Sequence, residues 1–143
     1  MTANLEDAIA LAVQAHFGQL SKDGEPYVLH PIRVMLACSS DEERIAAVLH
    51  DAVEDTGTTL DDLRRAGFSE RVIAAVDSVT LREGEEYDTF IERCASNPIG
   101  RIVKLADIAD NMNLERIPDL TARDFERYQK YRRARDRLIQ ADR

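Results

Sequence analysis

Between Ile45 and Val53 the chain reads Ile-Ala-Ala-Val-Leu-His-Asp-Ala-Val, a run whose apolar side chains call for a helix inside the domain, yet His50 and Asp51 sit in it. Glu54 and Asp55 follow one turn later. Residues four apart share a helix face, so His50 stands beside Glu54 and Asp51 beside Asp55, about 5–6 Å apart at Cβ. Charged groups at this density are costly inside a protein unless they are paired or bind a metal. The stretch Ala46–Thr59 therefore obliges the rest of the chain to bring partners to it.

The surrounding pattern is helical throughout. With 143 residues, six Gly and four Pro, the chain is long enough to bury a core, and it shows no repeat or linker, so an all-α single domain over residues 1–143 is expected. A first helix is expected from Asn4 to Phe17, closed by Gly18, with His16 on its apolar stripe as a core or supporting group. The segment from Gly18 to Pro31 cannot be one helix; Tyr27–Pro31 reads as extended, with Pro31 opening the next helix. Ser40-Asp41-Glu42-Glu43 has the form of a capping box that starts the central helix, which should stop near Thr56-Gly57. Further helices are expected after Thr59, from Ser69 to Val79, and through Tyr87 to Cys94, with a polar, flexible loop at Thr80–Glu86. Asn97-Pro98 then opens a long helix through Ile99, Ile102, Val103, Leu105, Ala106 and Ala109. From Thr121 onward the chain is strongly charged, with Phe125, Tyr128, Tyr131 and Leu138 at rough helical spacing, as in a covering helix with a solvated face.

A net charge of −8 argues against broad binding to nucleic acid or anionic membrane, which draws on phosphate neutralisation by Lys and Arg. A small anionic substrate is compatible with that charge when a bound cation and local basic groups face it. Cys38 and Cys94 lack the number and spacing of a disulfide framework or a metal site, so they read as buried, reduced thiols. No stretch reaches membrane-spanning length and no targeting segment stands at the N-terminus, which makes a cytoplasmic location the expectation. The oligomeric state is not legible.

The polar residues expected to be buried are His30, at a helix entry, and His50, Asp51 and Asp107, within apolar helices: two imidazoles and two carboxylates on three elements. Mixed nitrogen and oxygen ligation of this kind suits a six-coordinate divalent ion such as Mn²⁺ or Fe²⁺, or Zn²⁺; a metal-free network of His–Asp pairs is the alternative. Calcium prefers all-oxygen sites. A metal with open positions acidifies water and neutralises phosphate charge, the usual route to phosphoester hydrolysis, and Glu54 and Asp55 stand where they can handle water and proton. Their position at a helix C-terminus opposes the macrodipole, which disfavours a purely structural role. Lys104, Asp107 and Asn111 form one polar ridge on the late helix.

These residues carry a resemblance. His30, His50-Asp51 and Asp107 are similar to the H…HD…D signature of the HD phosphohydrolase superfamily, an all-helical, metal-dependent fold. More narrowly, AHFGQLSKDGEPYVLHPIRV, AAVLHDAVEDTGTTLDDL, VDSVT and IVKLADIADNM resemble the hydrolase domain of the RelA/SpoT alarmone enzymes and their stand-alone small relatives. The resemblance implies Mn²⁺ held by His30, His50, Asp51 and Asp107, a catalytic diad of Glu54 and Asp55, and removal of the 3′-pyrophosphate of guanosine tetra- or pentaphosphate. Lys22, Lys104 and Asn111 match pocket positions and are the implied substrate contacts. The chain departs from the family at Ser21, where an arginine usually stacks on the base, and at Ile108, Asp110 and Asn113 after the metal-binding aspartate. Those departures open two further readings: the same chemistry on an adenine alarmone, an NADPH-type dinucleotide or another phosphorylated nucleotide, or a nucleotide-binding module without turnover.

Overall fold

The computed structural model describes residues 2–141, which form eight α-helices, one 3₁₀ turn and an isolated antiparallel bridge between Leu20 and Pro26. The helices are α1 (Leu5–Ala15), α2 (Leu29–Leu36), α3 (Asp41–Asp55), α4 (Leu60–Arg65), α5 (Glu70–Ser78), α6 (Tyr87–Ser96), α7 (Pro98–Asn111) and α8 (Ala122–Gln140), with the 3₁₀ turn at Leu114–Arg116. The all-α expectation holds.

Helix starts follow the local chemistry. Asn4, Ser40, Thr59 and Thr121 each cap a helix through the side chain and donate their backbone N–H to the carboxylate three positions on: Asp7, Glu43, Asp62 and Asp124. Each such cap is worth about 0.5–2 kcal/mol. Asn97 caps α7 through its side chain, with Pro98 in the first turn where a missing N–H costs nothing. After α1, Gly18 turns the chain at φ 84°, a left-handed conformation a side chain would resist.

Two expectations are corrected. Leu29 and His30 are helical, not extended: Val28 already has φ −57° and ψ −21°, and the Leu29 and His30 N–H groups bond to the Pro26 and Tyr27 carbonyls. Pro31 sits in the first turn, where it breaks no helical bond, and its disfavouring of helical dihedrals at His30 is outweighed by those turn bonds. On α8 the predicted apolar stripe is only partly inward: Phe125 is exposed, while Asp124, Ala134 and Leu138 are buried. The side chain of Asp124 accepts from the Thr121 backbone N–H and hydroxyl at the cap, while the face of α8 turned inward is set by what it packs on.

Helix α3 is the hub, packing against α1, α2, α5 and α7. Its residues Ala46, Ala47, Val48, Leu49 and Ala52 are wholly buried. A Leu or Val side chain so placed contributes about 1.5–3 kcal/mol relative to exposure, which is what draws four neighbouring helices onto α3. Cys38 and Cys94 are buried free thiols. Burial pushes them up to about 11 and about 12 respectively, so neither is a nucleophile at neutral pH. Arg93 ties the Thr80–Glu86 loop by donating to the Asp77 and Thr80 carbonyls at 3.0 and 2.7 Å and to both carboxyl oxygens of Glu85. Among the described residues no helix is long and apolar enough to cross a membrane.

Candidate metal centre

The amphipathic logic that buries α3 also carries His50 and Asp51 inward, 2% and 5% exposed. α2 brings His30 from one side and α7 brings Asp107 from the other, both buried. One ligand atom from each of His30, His50, Asp51 and Asp107 can be chosen so that all lie within 4.8 Å of one another. The contacts across the cluster are His30 Nε2 to Asp107 Oδ1 at 2.8 Å, His30 Nε2 to Asp51 Oδ2 at 3.5 Å, His50 Nε2 to Asp51 Oδ1 at 3.1 Å and His50 Nε2 to Asp107 Oδ1 at 3.4 Å.

The outer nitrogens of both rings are engaged elsewhere. His50 Nδ1–H donates to the Ala47 carbonyl, and His30 Nδ1–H donates to Asp110 Oδ2 at 2.6 Å. That leaves Nε2 of each ring facing the carboxylates, the arrangement by which histidine ligands are oriented for a metal. Burial lowers the basicity of both rings, but the opposing carboxylates outweigh it: Asp107 and Asp110 push His30 up to about 9, and Asp51 and Asp107 push His50 up to about 10. A divalent cation bound there would compete with these protons. Lys104 donates to Asp107 Oδ2 at 2.8 Å and Asn111 Nδ2 to Asp107 Oδ1 at 3.3 Å. Buried as it is, the Asp107 carboxyl is held well below its ordinary range, chiefly by Lys104 and the two histidines. The donor set fits a divalent transition metal.

Glu54 and Asp55 emerge at the exposed end of α3. Glu54 Oε1 accepts from the Leu81 N–H at 2.7 Å, which fixes it on the tied loop. Tyr27 Oη donates to Asp51 at 2.7 Å and reaches Asp55 at 3.3 Å, linking the diad position to the cluster. Partial burial and repulsion from Asp51 raise both carboxyls above their ordinary values.

A cleft of ≈ 330 Å³ opens on the His30 side of the cluster. Lys22, Arg33, Arg116 and Arg127 give it a basic lining despite the acidic chain, and Leu20, Ile117 and Tyr131 supply apolar wall. Of the three predicted substrate contacts, Lys22 and Asn111 line this cleft, and Lys104 stands behind it on Asp107. Ser21 and Asn113 also line it, whereas Ile108 is wholly buried in the core, so that departure bears on packing. Ser21 is turned onto Asp23 at 2.5 Å. His16 is buried against Gln19 and Tyr27, and its Nε2 has no hydrogen-bond partner among the described residues. Tyr27, Arg33 and Arg116 carry no signal in the sequence that marks them as site residues, and Asp110 is marked only as a departure from the family pattern; their partners lie on other elements.

The profile of the HD domain family matches residues 8–87, a span that includes His30, His50, Asp51, Glu54 and Asp55 but not Asp107. The chain is 35% identical over 120 residues to a guanosine-3′,5′-bis(diphosphate) 3′-pyrophosphohydrolase of Aquifex aeolicus, covering 76% of this chain and 17% of that protein. It is 35% identical over 134 residues to a probable GTP pyrophosphokinase of Mycobacterium leprae, covering 83% of this chain and 17% of that protein. The chain thus spans about a sixth of the length of these curated relatives. A solved structure described as a metazoan ortholog of SpoT that hydrolyses ppGpp superposes with a TM-score of 0.80 at 27% identity, over 96% of this chain and 86% of that one.

Proposed function

Because the chain belongs to the HD domain family, we propose that it is a metal-dependent phosphohydrolase that removes the 3′-pyrophosphate of (p)ppGpp-like nucleotides, with residues 1–143 acting as one domain in the cytoplasm. The observation that carries this reading is the convergence of four buried nitrogen and oxygen donors with a carboxylate pair one turn beyond two of them. Relatives bearing the names of (p)ppGpp enzymes support the substrate class.

His30, His50, Asp51 and Asp107 would hold the metal, for which we propose Mn²⁺. When bound, such an ion supplies positive charge to the phosphate oxygens and makes water a stronger nucleophile. Water adds to the 3′-linked phosphorus, the P–O3′ bond breaks, and the 3′ oxygen takes a proton. Glu54, its carboxyl raised above its ordinary value chiefly by burial and fixed by the Leu81 N–H, takes the proton from the attacking water; Asp55, steadied by Tyr27, serves the leaving oxygen. Lys22 and Asn111 contact the substrate from the cleft, while Lys104 restrains Asp107 beside it.

Ser21, bonded to Asp23 in place of a stacking arginine, favours a second reading with the same chemistry on an adenine nucleotide or NADPH-type dinucleotide. Purified protein with Mn²⁺ should convert guanosine tetraphosphate to GDP and pyrophosphate. No turnover of it beside hydrolysis of another nucleotide in a panel would overturn the substrate; no turnover of any would overturn the enzyme.

A further inference from the structure

His30 lies between two carboxylates one turn apart on α7: Asp107 faces its Nε2 at 2.8 Å and Asp110 faces its Nδ1 at 2.6 Å. The spacing of three residues puts both acids on one helix face, so a single rigid element addresses both ring nitrogens. Asp110 is not an incidental surface acid. Its side chain is 12% exposed and every oxygen is used: Arg33 donates Nε to Oδ1 at 2.8 Å and Nη2 to Oδ2 at 3.1 Å, and Arg116 donates Nη2 to Oδ2 at 3.2 Å. The same Arg116 nitrogen donates to the Asp110 backbone carbonyl at 2.6 Å. An acid in the last turn of a helix is opposed by the helix dipole, and the two guanidinium groups offset that.

We propose that Asp110 is a positioning residue: it fixes His30 with Nδ1 protonated and Nε2 directed at the metal, and through the same carboxylate anchors Arg33 and Arg116 on the cleft wall. The inference rests on the metal-site reading above and assigns a role to a residue where the chain departs from its resemblance. A carboxylate is the strongest neutral-pH acceptor for the Nδ1–H, which both orients the ring and makes Nε2 a better donor to a cation. The bidentate grip on Arg33 and the double bond pair to Arg116 hold two long side chains that would otherwise be free to swing from the cleft. The candidate metal ligand and two cations of the cleft wall are therefore steadied by one group.

The test is Mn²⁺ affinity without nucleotide, read from free Mn²⁺ by electron paramagnetic resonance, for wild type and the variants D110A, D110N and R116A, with circular dichroism to verify folding. D110A should bind Mn²⁺ about 10–100-fold more weakly. D110N, which keeps one acceptor oxygen, should fall between it and wild type, and R116A should stay within about threefold of wild type, since the His30 bond is untouched. In turnover R116A should raise KM with little change in kcat. Equal Mn²⁺ affinity in wild type and D110A, or a loss in R116A matching that in D110A, overturns the role of Asp110. If D110A does not fold, weaker binding by D110N than by R116A supports it and equal binding overturns it. Absence of Mn²⁺ binding by the wild type counts instead against the metal site itself.

Discussion

Asp107 on α7 receives His30 Nε2 of α2 at 2.8 Å across a separation of 77 residues, while its other oxygen receives the Lys104 ammonium at 2.8 Å. Asp107 is thus both a candidate ligand and the counter-charge of a buried lysine. Asp107→Ala should destabilise the metal-free protein by about 3–5 kcal/mol, because the ammonium is left buried without its partner. Urea unfolding measures this, and adding Lys104→Met should restore part of the loss. If the single change costs nothing, the pair is not what holds α7 in place.

Glu54 lies outside the four-donor cluster and is held by a backbone N–H at 2.7 Å. Glu54→Gln keeps that bond and removes the proton acceptor. We expect kcat to fall about 10²–10⁴-fold with Mn²⁺ affinity and melting temperature unchanged. A parallel loss of metal binding would make Glu54 a ligand and not a base.

Arg93 donates to both oxygens of Glu85 at 2.7 and 2.8 Å and holds that carboxyl down at about 2, against an ordinary 4.5. In the unfolded chain Glu85 takes up its proton near the ordinary value, so between the two values the unfolded state binds more protons. The stabilisation is then complete above pH 4.5 and is lost as pH falls through about 2. The stability gap between wild type and Glu85→Gln should be constant near neutrality and close over that acid window. A gap independent of pH down to the acid limit would show that the pair contributes nothing through charge.

Gly100 lies in the first turn of α7 against Ser78 of α5. A Cβ there would overlap Ser78 Oγ and stand 3.2 Å from Ser78 Cβ. The Ser78 hydroxyl is not free to turn away, since it donates to the Ala75 carbonyl at 2.7 Å. Although alanine is the better helix former by about 1 kcal/mol, Gly100→Ala should lower stability by about 1–3 kcal/mol, and Ser78→Ala in the same chain should recover most of it. A stabilised single variant would mean that α5 and α7 can separate without cost.

The α3 helix was legible before any fold was known. Its capping box at Ser40 and Glu43, its apolar run and its His-Asp and Glu-Asp doublets are all local, set by hydrogen bonds and helical periodicity within a few residues. The same locality made the starts of α1, α4, α7 and α8 near Asn4, Thr59, Asn97 and Thr121 readable, and the embedding of Asp107 among apolar neighbours marked it as buried. Local preference misled at His30, where the proline rule pointed to extended backbone and the turn bonds donated by the Leu29 and His30 N–H groups to the Pro26 and Tyr27 carbonyls prevailed. It also misled at Phe125, since the side to which α8 turns is decided by what it packs on.

What the sequence by itself determined is an all-helical chain and an inventory of candidates, in which His50, Asp51 and Asp107 stand where only apolar residues are expected and His30, Glu54 and Asp55 join them through spacing and resemblance. What the tertiary structure decided is their company. That Tyr27 bridges Asp51 and Asp55, that Ile108 belongs to the core, and that Asp110 grips His30, Arg33 and Arg116 together are facts about which helix faces meet. Helical periodicity states which residues share a face, but the packing of α2 and α7 around α3, driven by buried area with no direction of its own, sets which faces oppose each other.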